Sequence, residues 1–436
     1  MDTRNHLRLN ILAFLIACVV ASVIAVPAHA FEALARLQVG ERMEVADFPI
    51  GQARSGSVVF ERIELYAEGA VVRIHRADGV STLSRSDRIF LVGRTEQDDR
   101  VSVVLLGEIN DPISWSGGVY SPAGFEEIRV YPQADGPPVV RAYSADVLVP
   151  EGVVIESSCG NDLHAELNGA GTQALPSGLD FRSRGGPLRT GRLAIDTDKE
   201  WLNLRFGNNA PAAANWIENL VMLTNGLLES ELDLRLELGD VILRVGSDPY
   251  GVTGSPATLA HLNEFGTFWQ NNQGAVTRSH AALISGRSSS GFSASGIAWV
   301  DSYCENQSNG GSYSINQLFY NSGVPISASA NLFGHEIGHN LGSPHTHCYN
   351  PPIDQCFSGE TFGGNSCYSG PTSCPTPPGS GTLMSYCNFP SGCGIQNNFT
   401  FAIPVNNQIS GRINANTPSC LSEGSTELIF EDRFEN

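Results

Sequence analysis

Four of the ten histidines fall between positions 335 and 347. The stretch reads Gly334-His335-Glu336-Ile337-Gly338-His339-Asn340-Leu341-Gly342-Ser343-Pro344-His345. Residues four apart share one face of a helix, so His335 and His339 can reach a single ion. Gly342 can take a left-handed backbone that ends the helix, after which His345 can approach the same ion from another direction. Three imidazoles leave a fourth position open for water, which marks a catalytic rather than a structural zinc site. Glu336, beside the first ligand, is placed to take a proton from that water. A metal-bound water is acidified towards a pKa of ~7, and the metal polarises a substrate carbonyl. With Glu336 as general base and proton donor to the leaving amine, the expected chemistry is amide hydrolysis without a covalent intermediate. His347 is close by, but three ligands are already supplied and it is read as a non-ligand.

Elements must position these groups, and the chain divides into a β-patterned part and a mixed part. Residues 31–190 read mostly as strands, with alternation near 56–66 and 71–75 and turn signals such as Ala77-Asp-Gly79. Residues 168–192 are rich in Gly, Ser, Pro and Arg, a linker whose Arg182, Arg184, Arg189 and Arg192 invite a trypsin-like processing protease. From 191 to 421 the pattern becomes α/β (α+β). Strands are expected at 192–196, 241–245, 281–285 and 297–300, and helices at 210–232 and near 404–413. Residues 422–436 form an acidic, aromatic tail.

Residues 1–30 carry Arg4 and Arg8, an apolar run from Ile11 to Val26, and Pro27-Ala-His-Ala30. This reads as a signal peptide cleaved after about Ala30, giving a secreted protein with no membrane span. A lipoprotein reading at Cys18 is weaker, because further apolar residues follow it. The 436-residue chain has a formal net charge of −19, which disfavours nucleic-acid binding. Of its ten cysteines, eight (Cys304, Cys348, Cys356, Cys367, Cys374, Cys387, Cys393 and Cys420) lie in the second half and imply up to four disulfides of undetermined pairing. Cys159, in Ser157-Ser-Cys-Gly-Asn-Asp162, is the odd one; a thiolate there could take the open zinc position in place of water.

The twelve residues 334–345 resemble the metzincin signature of zinc metallopeptidases. Gly381-Thr-Leu-Met384-Ser-Tyr386 is similar to the methionine turn of that clan. Within it, Leu193–Asp198, His280–Arg287, Gly296–Cys304 and His335–Cys348 most resemble the adamalysin/reprolysin family. The resemblance implies a metzincin-like catalytic domain with a twisted sheet and an active-site helix, preceded by a β-rich propeptide domain. It implies an edge strand at 296–300 that pairs with protein or peptide substrates, and latency until propeptide removal through Cys159. It also brings calcium as a second cation, without assigned ligands. Two departures stand out. Thr346 occupies the place where adamalysins usually carry Asp, and Tyr386 resembles the tyrosine that astacins and serralysins use near zinc, so it is a candidate transition-state donor. The competing class is a non-catalytic adhesion or binding module on the same scaffold; the intact Glu336 disfavours it.

Overall fold

The structure is a computed structural model. It describes residues 28–424 except 52–53, 96–97, 99, 134–137, 145–147, 149–154, 164–185, 363–364, 376–380, 390–392 and 396. The expected signal run up to residue 27, most of the expected linker with Arg182 and Arg184, and the tail beyond 424 lie outside the described residues.

The first half begins with α1 (Ala28–Arg36), which spans the expected cleavage point at Ala30. Strands β1 (Arg42–Gly51), β2 (Arg54–Ile63), β3 (Val72–Arg76), β4 (Gly79–Leu83) and β5 (Ile89–Thr95) follow. Next come β6 (Ser102–Glu108), β7 (Asp111–Ser121), β8 (Gly124–Tyr131), β9 (Val139–Ser144) and the short β10 (Glu156–Cys159). Seven of these form an antiparallel meander in the order β1-β2-β5-β6-β7-β8-β9. Its one face is closed by α1, with Phe31 packed on Trp115 at 5.4 Å.

The second half contains β11 (Arg189–Thr197), α2 (Lys199–Phe206), α3 (Ala210–Leu232), β12 (Leu234–Arg244), α4 (Leu259–Asn272), β13 (His280–Ser285), β14 (Ser293–Ala298), β15 (Tyr313–Gln317), α5 (Ile326–Asn340) and α6 (Ile403–Ala415). Helix α3 starts where Asn209 accepts from the Ala212 amide and Pro211 fills the first turn; it stops at Asp233 with a left-handed backbone. Strand β13 is buried at every position, as a central parallel strand requires.

The second sheet runs β10-β14-β15-β13-β11-β12-β3-β4, so both of its ends are built from the first half of the chain. Hairpin β3–β4 extends it beyond β12 in parallel register, and β10 lies parallel on β14. Arg189 and Arg192, expected in the linker, are inside β11. Ser422 and Glu423 pair with that strand, tying down the start of the tail. One apolar cluster joins Val72, Ile74 and Phe90 of the first half to Leu220, Leu223, Leu236 and Met384 of the second.

Candidate metal centre

Helix α5 is buried almost throughout and carries His335, Glu336 and His339 into the floor of a cleft. Gly342 has φ +106°, a left-handed backbone that the turn after the helix requires. The chain then swings back and presents His345. The three Nε2 atoms converge: His339 lies 3.1 Å from His335 and 3.2 Å from His345, and His335 lies 3.3 Å from His345. Each Nδ1 is engaged behind the site. Those of His335 and His339 donate to the carbonyls of Leu383 and Ser343, both at 2.7 Å. That of His345 donates to the Glu360 carboxylate at 2.9 Å. Every Nε2 therefore turns a lone pair inward. Burial and neighbouring imidazoles hold His335 down to about 3 and His339 well below its ordinary value, so these rings stay neutral.

Three buried acceptors facing each other demand a cation. Tetrahedral zinc with Zn–N bonds of about 2.0–2.1 Å sets its nitrogens about 3.3–3.4 Å apart, and a thiolate sulfur lies about 3.6 Å from each nitrogen. The Cys159 Sγ is 3.5 Å from His339 Nε2. It falls with the three imidazoles in one group whose donor atoms all lie within 4.8 Å of one another. The residues present thus fit a four-coordinate zinc, with Cys159 at the fourth vertex.

Backbone pairing delivers the thiol. Cys159 sits opposite Gly296 in the β10–β14 ladder. Beyond it the Asn161 side chain continues the ladder, donating to the Ala298 carbonyl at 2.9 Å and accepting from the Ala298 amide at 3.1 Å. Gly160 is required because a Cβ there would run into the Ala257 carbonyl. Asn388 donates to the Ser157 hydroxyl at 2.9 Å. Tyr386 donates its hydroxyl to the Cys159 carbonyl at 3.1 Å, with its ring 3.9 Å from that of His345.

Glu336 is completely buried, its Oε2 3.9 Å from the Cys159 sulfur. Its other oxygen has no hydrogen-bond partner among the described residues. A Cβ at position 296 would collide with this carboxyl, so a residue other than Gly296 would push Glu336 out of place. Burial raises the Glu336 carboxyl well above the usual carboxylate range. Met384 lies beneath the ligands: a Cβ on Gly338 would be 2.6 Å from its sulfur.

All eight cysteines of the second half are bridged, as Cys304–Cys420, Cys348–Cys367, Cys356–Cys387 and Cys374–Cys393. The other two groupings of metal-type ligands, His347–Cys348–Glu360–Cys367 and Asp354–Cys356–Cys387, contain sulfurs from these bridges and offer no thiolate. Two carboxylates escaped sequence reasoning. Asp354 accepts from the Thr346 hydroxyl, supplying from a loop the acid missing after His345. Glu360 supports His345 and lies 2.6 Å from His347 Nε2. Burial alone would raise Glu360, but His345 and His347 bring it down to about 2. A zinc-bound histidine usually needs a second acceptor behind it, which was the one signal that could have prompted a search for it.

Two histidines on a buried helix and a third just beyond it, with a carboxylate beside them, form the kind of ligand set that a metallopeptidase uses. The Reprolysin_5 family, described as metallo-peptidase family M12, matches residues 188–399, the stretch that holds the histidines, Glu336, Met384 and Tyr386. The match supports a metzincin-like metallopeptidase over this part of the chain. Among solved structures, metalloproteinase-II from Bacteroides fragilis is similar at 9% identity, covering 74% of this chain and 87% of that one with a TM-score of 0.37. No curated protein matches the chain.

Proposed function

We propose that the protein is a secreted zinc endopeptidase made as a latent precursor, with residues 31–190 as its propeptide. The observation that supports this reading is the Cys159 sulfur, 3.5 Å from His339 Nε2 and grouped with the three imidazoles within 4.8 Å. His335, His339 and His345 would hold zinc, which when bound supplies a Lewis acid for water and for the scissile carbonyl. Once the Cys159 strand has left, Glu336 accepts the proton of the attacking water and returns it to the leaving amine. Its burial and raised carboxyl suit a group that must hold a proton between those two events. A substrate backbone takes the place of β10 on the free edge of β14. The Tyr386 hydroxyl, released from the Cys159 carbonyl, turns to the oxygen of the carbonyl under attack. Export rests on the apolar run in residues 1–30 and on four disulfides, which persist in oxidising compartments.

Casein digestion by processed protein tests the reading. It should stop with a chelator and fall by about 10²–10⁴-fold in Glu336→Ala, the range ascribed to a general base. Undiminished activity in that variant would sink the mechanism.

A further inference from the structure

The three imidazoles of the centre are not held alike. His335 and His339 lean on neutral backbone carbonyls. His345 alone leans on a carboxylate, with both Glu360 oxygens 2.9 Å from its Nδ1. One of those oxygens is also 2.6 Å from His347 Nε2, and the His347 ring lies parallel to that of His345 at 5.7 Å. The Glu360 side chain is only 2% exposed. Its ion-pair partners among the described residues are these two histidines, with no Arg or Lys. A buried carboxylate so placed is costly unless positive charge lies close by. A dication held by His335, His339 and His345 would supply that charge.

The loop that carries Glu360 is braced for the task. The Cys367 amide donates to the Glu360 carbonyl and the Tyr368 amide to the His347 carbonyl, both at 2.9 Å. The Cys348–Cys367 disulfide ties the two runs together on either side. The 349–367 excursion thereby delivers one carboxylate to the back of one ligand.

We propose that Glu360 is a positioning residue of the metal centre, whose carboxylate fixes the tautomer and ring plane of His345 and makes it the strongest donor of the three. This rests on the zinc reading above. Outer carboxylates of this kind raise ligand basicity and hold the ring in its coordinating orientation. Glu360 would act through His345, the ring that its carboxylate contacts.

The test uses the full-length unprocessed chain, loaded with zinc or with cobalt and titrated against a chelator. Glu360→Gln keeps an acceptor for Nδ1 but loses the charge, and should weaken zinc binding about tenfold. Glu360→Ala loses both and should weaken it up to about a hundredfold, the usual span for such partners. The visible cobalt bands should shift in the same order. His347→Gln, which leaves the Glu360–His345 contact in place, should stay within about threefold of the parent. The unfolding midpoint of each metal-free variant separates loop damage from lost ligand support. Zinc held as tightly in Glu360→Gln as in the parent overturns the proposal, as does an equal loss in His347→Gln. Variants that lower only the metal-free midpoint also overturn it. A parent chain that binds neither metal defeats the zinc reading itself, and this one with it.

Discussion

The first half of the chain meets the second in two places that differ in kind. At the metal centre the contact is four residues of strand, β10, bearing one thiol and a few polar bonds. On the opposite side of the sheet the contact is broad. Hairpin β3–β4 is built into the sheet beside β12, and Arg73 pairs with Asp240 at 2.6 Å. Glu218 of α3 is fully buried. Its carboxylate accepts from Tyr66 at 2.8 Å, from Ser86 at 2.8 and 2.9 Å, and from Arg88 at 3.2 Å, all residues of the first half. Tyr120 bonds the Leu223 carbonyl on the same helix. Glu127 of β8 accepts from Ser327 at 2.7 Å, in the first turn of the metal-binding helix. On the proposed reading the difference assigns silencing and docking to different surfaces. A small arm would block the site, and a large interface would keep the arm nearby.

The largest effect expected of a single change lies on the docking side. Arg88→Ala leaves a buried carboxylate without its cation, a loss that costs about 3–5 kcal/mol. Urea unfolding of the unprocessed chain measures it. Peptidase activity under folding conditions should not rise. A rise would mean that docking and silencing are one function, and the comparison would break.

Next comes Tyr386, which belongs to both roles because its hydroxyl holds the arm in the closed state. Tyr386→Phe in processed protein should lower kcat by about a hundredfold with KM little changed, the cost of one donor to a developing oxyanion. An unchanged kcat would confine this residue to packing against His345.

Cys159→Ala in the unprocessed chain should raise activity by roughly ten- to a hundredfold, as expected when a tethered ligand at millimolar effective concentration is removed. Its urea midpoint should move less than that of Arg88→Ala. Activity no higher than the unprocessed parent would end the switch idea, and a midpoint shift as large as that of Arg88→Ala would make the arm part of the docking surface.

How far could this have been read from sequence? The convergence of His335, His339 and His345 was legible because their spacing is local: four residues apart on a helix, then a glycine-ended turn. Helix α3 was legible at both ends because Asn209, Pro211 and its apolar stripe are local signals too. Strand β12 begins at Leu234 rather than 241, since its first residues gain their strand character from pairing with β11. Helix α4 and strand β15 were not read; the buried face of α4 has its meaning only against Ile315 and Tyr313. The 71–75 strand was seen, but not its sheet. Alternation of period two looks the same in either sheet, and only the tertiary fold decides that Val72 faces Val241. Glu360 and Asp354 were hidden for a related reason, as each serves a residue from across a loop.

The smallest effect tests how finely the arm is held. Asn388 lies two residues beyond Tyr386 and donates to the Ser157 hydroxyl, a side-chain bond that β10 makes outside its ladder. Its Oδ1 accepts from Asn397 at 3.2 Å within the same loop. Asn388→Ala should therefore loosen the arm by about 1 kcal/mol, the net value of one such bond. That amounts to roughly a fivefold rise in the residual activity of the unprocessed chain, with the urea midpoint almost unmoved. Ser157→Ala removes the same bond from the other side and should give the same rise, and the double variant should add nothing further. Additive effects would place the two residues in separate contacts.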